Sequence, residues 1–471
     1  VALLGLALSL PSAAATEGAH EQTSTAAQRE AVAVTVYNGD LALIKEVRRV
    51  NLANGLNRLS LREVSAQMRP ETALLKATSG KPLTLIEQNF DFDLLTPAKL
   101  LDKYVGHEVS VIRTHPATGA ETREKATVLA ASPSPVLRFA DRIETGVPGR
   151  LAFDSVPATL CDRPTLSVLL DAAGGAQSVE LSYLSAGLSW SADYVANLSG
   201  DGRTLDLSGW VTLTNKSGTA YNDATLQLVA GNINRVIERR RALPMAAAPM
   251  LAKAYDAAPL EEALGDNHLY TFDRPTSVAD NQTKQLALLS ASGVPVRREY
   301  LLAGSDDYYR DAHPGVIGHK LKPAVFVEFD NKGGALGKPL PAGVVRVYSK
   351  DSRGAAQFVG EDRIDHTAKN ETVRLRLGEA FDITADRKQT SFKRLGSSAT
   401  NNVSESSYRI ELRNAKDEAV TVRLLETLPG DWSLTHESAR HTQDAAHQVS
   451  WHITVPAGGS AALDYTVRVR W

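Results

Sequence analysis

Residues 182–236 read SYLSAGLSWSADYVANLSGDGRTLDLSGWVTLTNKSGTAYNDATLQLVAGNINRV, and their pattern decides the fold class. Just upstream, Val179, Leu181 and Tyr183 alternate with polar residues. Within the stretch Leu205 and Leu207, Val211 and Leu213, and Leu226 and Leu228 do the same. A period of two places successive side chains on opposite faces of an extended strand. Gly187, Gly200-Asp201-Gly202, Asn215-Lys216-Ser217-Gly218 and Gly231-Asn232 interrupt the rows with turn residues. The stretch is a series of short β-strands.

The same reading extends in both directions. Val32, Val34 and Val36 form a strand that ends at Asn38-Gly39-Asp40, and a second strand candidate starts at Leu41. Asn-Gly between two such runs predicts a hairpin. Residues 94–104, LLTPAKLLDKY, have helical spacing, with Thr96 and Pro97 where an N-cap and first helical residue belong. Short strands are expected at 107–113, 125–131 and 136–139. Residues 31–176 thus predict an α+β domain, and 177–395 a central β domain. Residues 239–267, RRRALPMAAAPMLAKAYDAAPLEEALGDN, lose all alternation and predict a mobile insertion. After a Ser/Asn-rich stretch at 396–407, rows at Ile410 and Leu412, Val420 to Leu424, Val449 to Val455 and Leu463 to Val469 resume. They predict an immunoglobulin-like β-sandwich over 408–471. The expected class is mainly β and multidomain, built of antiparallel sheets.

Composition bounds the function. The chain has 471 residues, enough for about three domains of roughly 150 residues each. Its 52 basic and 54 acidic residues leave a net charge of −2, which gives no field for nucleic acid. Residues 1–10, VALLGLALSL, followed by Pro11-Ser12 and Ala13-Ala14-Ala15, match the apolar and cleavage regions of a secretory signal without its basic start. Export to the periplasm or beyond is expected, with residues 1–15 removed. No later run reaches the ~20 apolar residues of a membrane helix. The single cysteine, Cys161, forbids an internal disulfide and is read as a small buried hydrophobe.

With the opening stretch stand the phrases TVYNGDLALIKEVRRVNL, EQNFDFDLLTPAKLLDKYVG, RPTLSVLL, HLYTFDRPTSVADNQTKQLALL, LPAGVVRVY and FVGEDRIDHTAKNETVRLRLGEAFDI. Together they resemble a bacterial family of secreted proteins labelled mucoidy inhibitor A-like, whose central domain is one of unknown function. The resemblance runs from Val34 to the C-terminus, the Ala/Pro-rich insertion excepted. It implies an envelope location and supplies no catalytic residues.

Motifs that could carry chemistry are few. His436 and His441 in HESARH are five apart, not the four that put two zinc ligands on one helix face. With His447 and His452 they form a loose metal-binding candidate on a polar hairpin, set against a reading as exposed histidines. Asp91 and Asp93 in NFDFD share a strand face and could bind Ca²⁺ or act on a sugar as acid and base; a solvated face is the plainer reading. Trp190 and Tyr194 share another face, as core aromatics or as a stacking platform. Tyr308 and Tyr309, in DDYYRD, are a further binding candidate or an exposed loop. The run GGALGKP at 333–339 has the wrong glycine spacing for a phosphate loop, and GLSWS at 187–191 lacks the second glycine of a nucleophile elbow. No cofactor is predicted. The reading is an exported envelope protein that binds or scaffolds through β-domains, with envelope polysaccharide or another envelope protein as partner. The rival is a carbohydrate-active or metal-assisted hydrolase.

Overall fold

The computed structural model describes residues 19–91, 94–146, 149–157, 160–231, 233–234, 259–313, 315–398 and 401–470. The alternating rows become strands in five sheets, and among the described residues there is one α-helix. The chain is mainly β, as its periodicity predicts. It divides into two compact units: residues up to 190 with 213–229 and 271–284, and residues 191–212, 230–270 and 285 onward. Segment 1–15, Asp93 and most of the Ala/Pro-rich insertion lie outside the described residues. The last part of that insertion forms the strand Leu260–Leu264. Gly265, at φ 62°, then turns the chain into Asn267–Thr271.

In the first unit, the turn at 38–40 joins Arg29–Tyr37 to Leu41–Arg62 in an antiparallel hairpin. Leu41–Arg62 then pairs along almost its whole length with Thr165–Ser185. Its inward row of Ile44, Val50, Leu52, Leu59 and Leu61 also carries Glu46 and Arg48, both fully buried. The two meet at 2.8 Å, Arg29 holds the other Glu46 oxygen at 2.7 Å, and Arg48 donates to the carbonyls of Ser24 and Arg62. Opposite charges and hydrogen bonds of this kind offset the cost of burying a charge. A smaller sheet packs against the helix Pro97–Lys103 over Leu101, Tyr104, Val109, Val128 and Leu137. Thr96 caps that helix, its hydroxyl accepting from Lys99 N at 3.2 Å. This is the α+β region.

From residue 188 onward a module of five strands, lettered p, a, b, c and d in chain order, occurs three times. The first is Leu188–Leu198, Thr204–Asn215, Tyr221–Ala230, Thr276–Val278 and Gln282–Pro295. The second is Arg297–Ala303, Ala324–Asp330, Gly343–Lys350, Ala356–Ile364 and Thr372–Glu379. The third is Ile383–Ser398, Asn401–Asn414, Val420–Thr427, Gln448–Val455 and Ser460–Arg470. In each, d, a and p lie side by side in one sheet, while b pairs with c in another. The b strand also joins, in parallel, the p strand of the module before it: 343–349 on 192–198, and 422–425 on 300–303. The first b strand does the same with Arg29–Tyr37, pairing 225–229 with 33–37. Successive modules therefore share sheets, and the sheets are mixed rather than purely antiparallel. Hairpin neighbours supply the antiparallel pairs; strands distant in sequence supply the parallel ones.

One buried asparagine marks the a-to-b corner of every module. Asn215, Asn331 and Asn414 are at most 2 % exposed. Each side-chain amide donates across its own turn, to Thr219 O, Lys338 O and Glu418 O respectively. Each also donates to a carbonyl just after the c strand, at Ala279, Ala368 and Pro456. Each Oδ1 accepts a main-chain N–H, from Ser217, Gly337 and Lys416. Where a chain leaves one sheet for another, its main-chain groups lose their ladder partners. A two-donor, one-acceptor side chain replaces them.

The third module encloses a core of Ile383, Tyr408, Ile410, Leu412, Val422, Leu424, Val449, Trp451 and Val467 between its two sheets. The Ser/Asn-rich stretch at 401–407 belongs to its a strand, with Ser404 and Ser406 buried. Small hydroxyl side chains fit there because Ser404 bonds the Tyr309 carbonyl inside the sandwich.

Candidate functional site

The residues singled out from sequence do not converge. Trp190 and Tyr194 lie on the buried row of the first p strand, at 7 % and 0 % exposure, and Tyr194 donates its hydroxyl to Pro341 O at 2.8 Å. Asp91 is exposed and accepts from the Ser167 hydroxyl at 3.1 Å. His436, His447 and His452 are exposed, while His441 is half-buried. Among the described residues no group of three or more His, Cys, Asp and Glu is placed to hold a metal ion.

Two of the candidates join a network inside the third module. Tyr308 and Tyr309 end a short 3-10 turn, Asp306–Tyr309, and Tyr309 is fully buried. Its hydroxyl donates to Glu426 Oε2 at 2.7 Å and lies 3.0 Å from the Tyr465 hydroxyl. Arg387, on the p strand, reaches Glu426, on b, at 2.6 Å with both side chains fully buried, and stands over the Tyr308 ring. Burial and the neighbouring Glu426 charge push the Tyr309 hydroxyl well above its ordinary pKa, so it remains a donor. Gly304 packs against the same carboxylate: a Cβ there would come 2.0 Å from Glu426 Oε2. The cluster ties the two sheets and the 306–309 turn together from within.

At the sandwich margin Glu437 Oε2 accepts from Trp451 Nε1 at 3.0 Å and lies 2.9 Å from His441 Nδ1. Burial pushes the Glu437 carboxyl up, but these bonds outweigh it and leave the group below its ordinary value. His441 is thus engaged by a carboxylate four residues away, and not by the other histidines.

An open site that brings polar groups together was not singled out from sequence. It is a cleft of about 380 Å³ in the second unit, lined by Asn267, His268, Tyr270, Pro339, Leu340 and His366. Its volume falls within the roughly 300–1,000 Å³ of small-ligand pockets. Glu261 Oε1 holds His268 Nδ1 at 2.8 Å, which orients the imidazole and leaves Nε2 as its second functional atom. The Tyr270 hydroxyl is spent on Pro339 O at 2.9 Å. His366 takes the Ala342 N–H on Nδ1 at 3.2 Å. Burial holds it below the ordinary imidazole value; the Asp365 charge opposes this and nearby His268 adds to it. Asn267 closes tightly on Gly231, whose missing side chain makes the room. The mix of prolines, rings and hydrogen-bonding groups in its lining suits a small, partly polar ligand.

The family described as a domain of unknown function (DUF4139) matches residues 179–471, which take in all three modules. The chain belongs to this family. No curated protein matches it. DUF4139 membership thus coincides with the modular part of the chain and with the cleft.

Proposed function

We propose that this DUF4139 protein is an exported cell-envelope protein that binds or scaffolds through its β-modules. The interlocking of modules carries the reading: the second and third modules each complete a sheet of the one before, and the buried Arg387–Glu426 pair of the third ties its two sheets together. Arg387, Glu426, Tyr309 and the three corner asparagines are used inside the fold. The apolar run at 1–10 with its Ala-x-Ala end supports export. Resemblance to the mucoidy inhibitor A-like proteins supports an envelope polysaccharide or an envelope protein as partner. The purified mature chain should be retained on peptidoglycan, exopolysaccharide or outer-membrane material in pull-down assays. Retention on none of the three would refute the proposal.

The Glu261–His268 pair favours one second reading, a hydrolase working in the cleft. In that case His268→Ala would abolish a turnover while leaving the melting temperature nearly unchanged. If His268→Ala leaves that turnover intact, the hydrolase reading fails.

A further inference from the structure

The modular rule exposes a position that has no occupant among the described residues. In the three sheets that receive a following module, the parallel b strand pairs with the later part of p: 33–37, 192–198 and 300–303. The third module's p strand, Ile383–Ser398, has no following module among the described residues. Its outer side is met by the strand Val316–Leu321, with a register broken twice, and only over 385–388. No described strand pairs with 389–396 on that side. The turn at 308–313 meets this stretch through side chains: Gln389 bonds Asp311 O and His313 N, and Arg394 holds Asp311 at 2.9 Å.

We infer that 389–396 is an acceptor edge that takes a parallel β-strand from another protein. This rests on the binding or scaffolding reading and names its surface and the kind of partner. An open edge offers a row of N–H and C=O groups to an incoming strand. Leu395 is 50 % exposed on this stretch. The partner segment repeats the pattern of the b strands that fill the equivalent positions, with apolar residues every second position, as in Val420, Val422 and Leu424. Lys393 is exposed along the acceptor, while Arg394 is held by Asp311, so an acidic residue at the partner's polar position opposite Lys393 complements it. A second copy cannot supply one of its three b strands, because these are already paired in their own sheets.

The experiment uses the full chain and two synthetic peptides copying its own b strands, residues 223–230 (DATLQLVA) and 419–428 (AVTVRLLETL), with scrambled versions as controls. Hydrogen exchange followed by mass spectrometry should show amides in 389–396 slowed at least tenfold by one of the peptides and not by its scramble. Leu395→Pro, which removes the N–H of a residue left out of the register with Asn401–Asn414, should abolish that protection while the core strand Gln448–Val455 keeps its own. Should Leu395→Pro fail to fold, Lys393→Glu replaces it and should tighten the peptide 419–428 by less than tenfold, since the polar row of that peptide carries Arg423 and no acid. Unchanged exchange at 389–396 with every peptide would overturn the inference; retention of the chain on envelope material would then still uphold the broader reading. A dimer in sedimentation that Leu395→Pro dissolves would also overturn it, by showing a second copy at the edge.

Discussion

At the residue scale, burial decides what each polar side chain can do. Asn414 is 2 % exposed and serves two turns at once. Asn414→Ala leaves its carbonyl partners and the Lys416 N–H without the amide, at about 1–3 kcal/mol for each group orphaned in the interior. A total loss of about 2–4 kcal/mol is expected, measurable by urea unfolding; Asn414→Ala within 0.5 kcal/mol of wild type, roughly a surface effect, would contradict the corner role. Arg387 and Glu426 give a sharper test. Arg387→Met alone strands a buried carboxylate and should cost about 3–5 kcal/mol. Arg387→Met with Glu426→Leu should recover much of that, although Tyr309 then loses its acceptor. If the double variant is no better than the single, the pair's charge balance is not what matters. The corner asparagines were legible in principle. TLTNKSG, EFDNKGG and ELRNAKD all place Asn at the end of an alternating row. Each also looks like an ordinary turn, and nothing local tells a buried corner from an exposed one.

At the element scale, strands depend on partners distant in sequence. Arg297–Ala303 lies between Ala324–Asp330 and Val420–Thr427. A chain ending at residue 396 keeps the first neighbour and loses the second. It should expose that edge and self-associate, seen by size-exclusion chromatography; a monomeric, cooperatively melting truncation would show the modules to be independent. The helix at 97–103 and the hairpin at 38–40 needed no such partner, and their local signals were enough. The 401–407 strand shows the opposite case. Its serines carry no hydrophobic row, and only their place inside the sandwich makes them strand residues.

At the scale of the whole molecule, several carboxyls are held below their ordinary values. For Glu299 burial pushes the carboxyl up, but hydrogen bonds from Arg374 and Arg423 outweigh it. Glu437 is held low by Trp451 and His441 in the same way, and Asp386 by the Lys320 N–H and Arg413. A carboxyl more acidic in the folded chain stabilises it above the unfolded value of about pH 4, and that stability is lost as the pH falls through the lower folded value. The melting temperature should therefore fall between about pH 4.5 and pH 2.5, with Glu437→Gln flattening the fall. A profile identical to wild type would remove Glu437 from the account.

The sequence by itself determined that the chain is a succession of β-strands, where one helix and one hairpin start and stop, and that residues 179–471 belong to one family. Those properties follow from a period of two, from caps and from turn residues, all read within a few positions. The tertiary structure alone decided which strands share a sheet, that Trp190 and Tyr194 face a core, and that His268, held by Glu261, and His366 line one cleft. Alternation says that a strand has two faces but not who lies beside it. The parallel joins of b to the preceding p connect residues far apart in the chain, where only the packing of all modules together selects the partner.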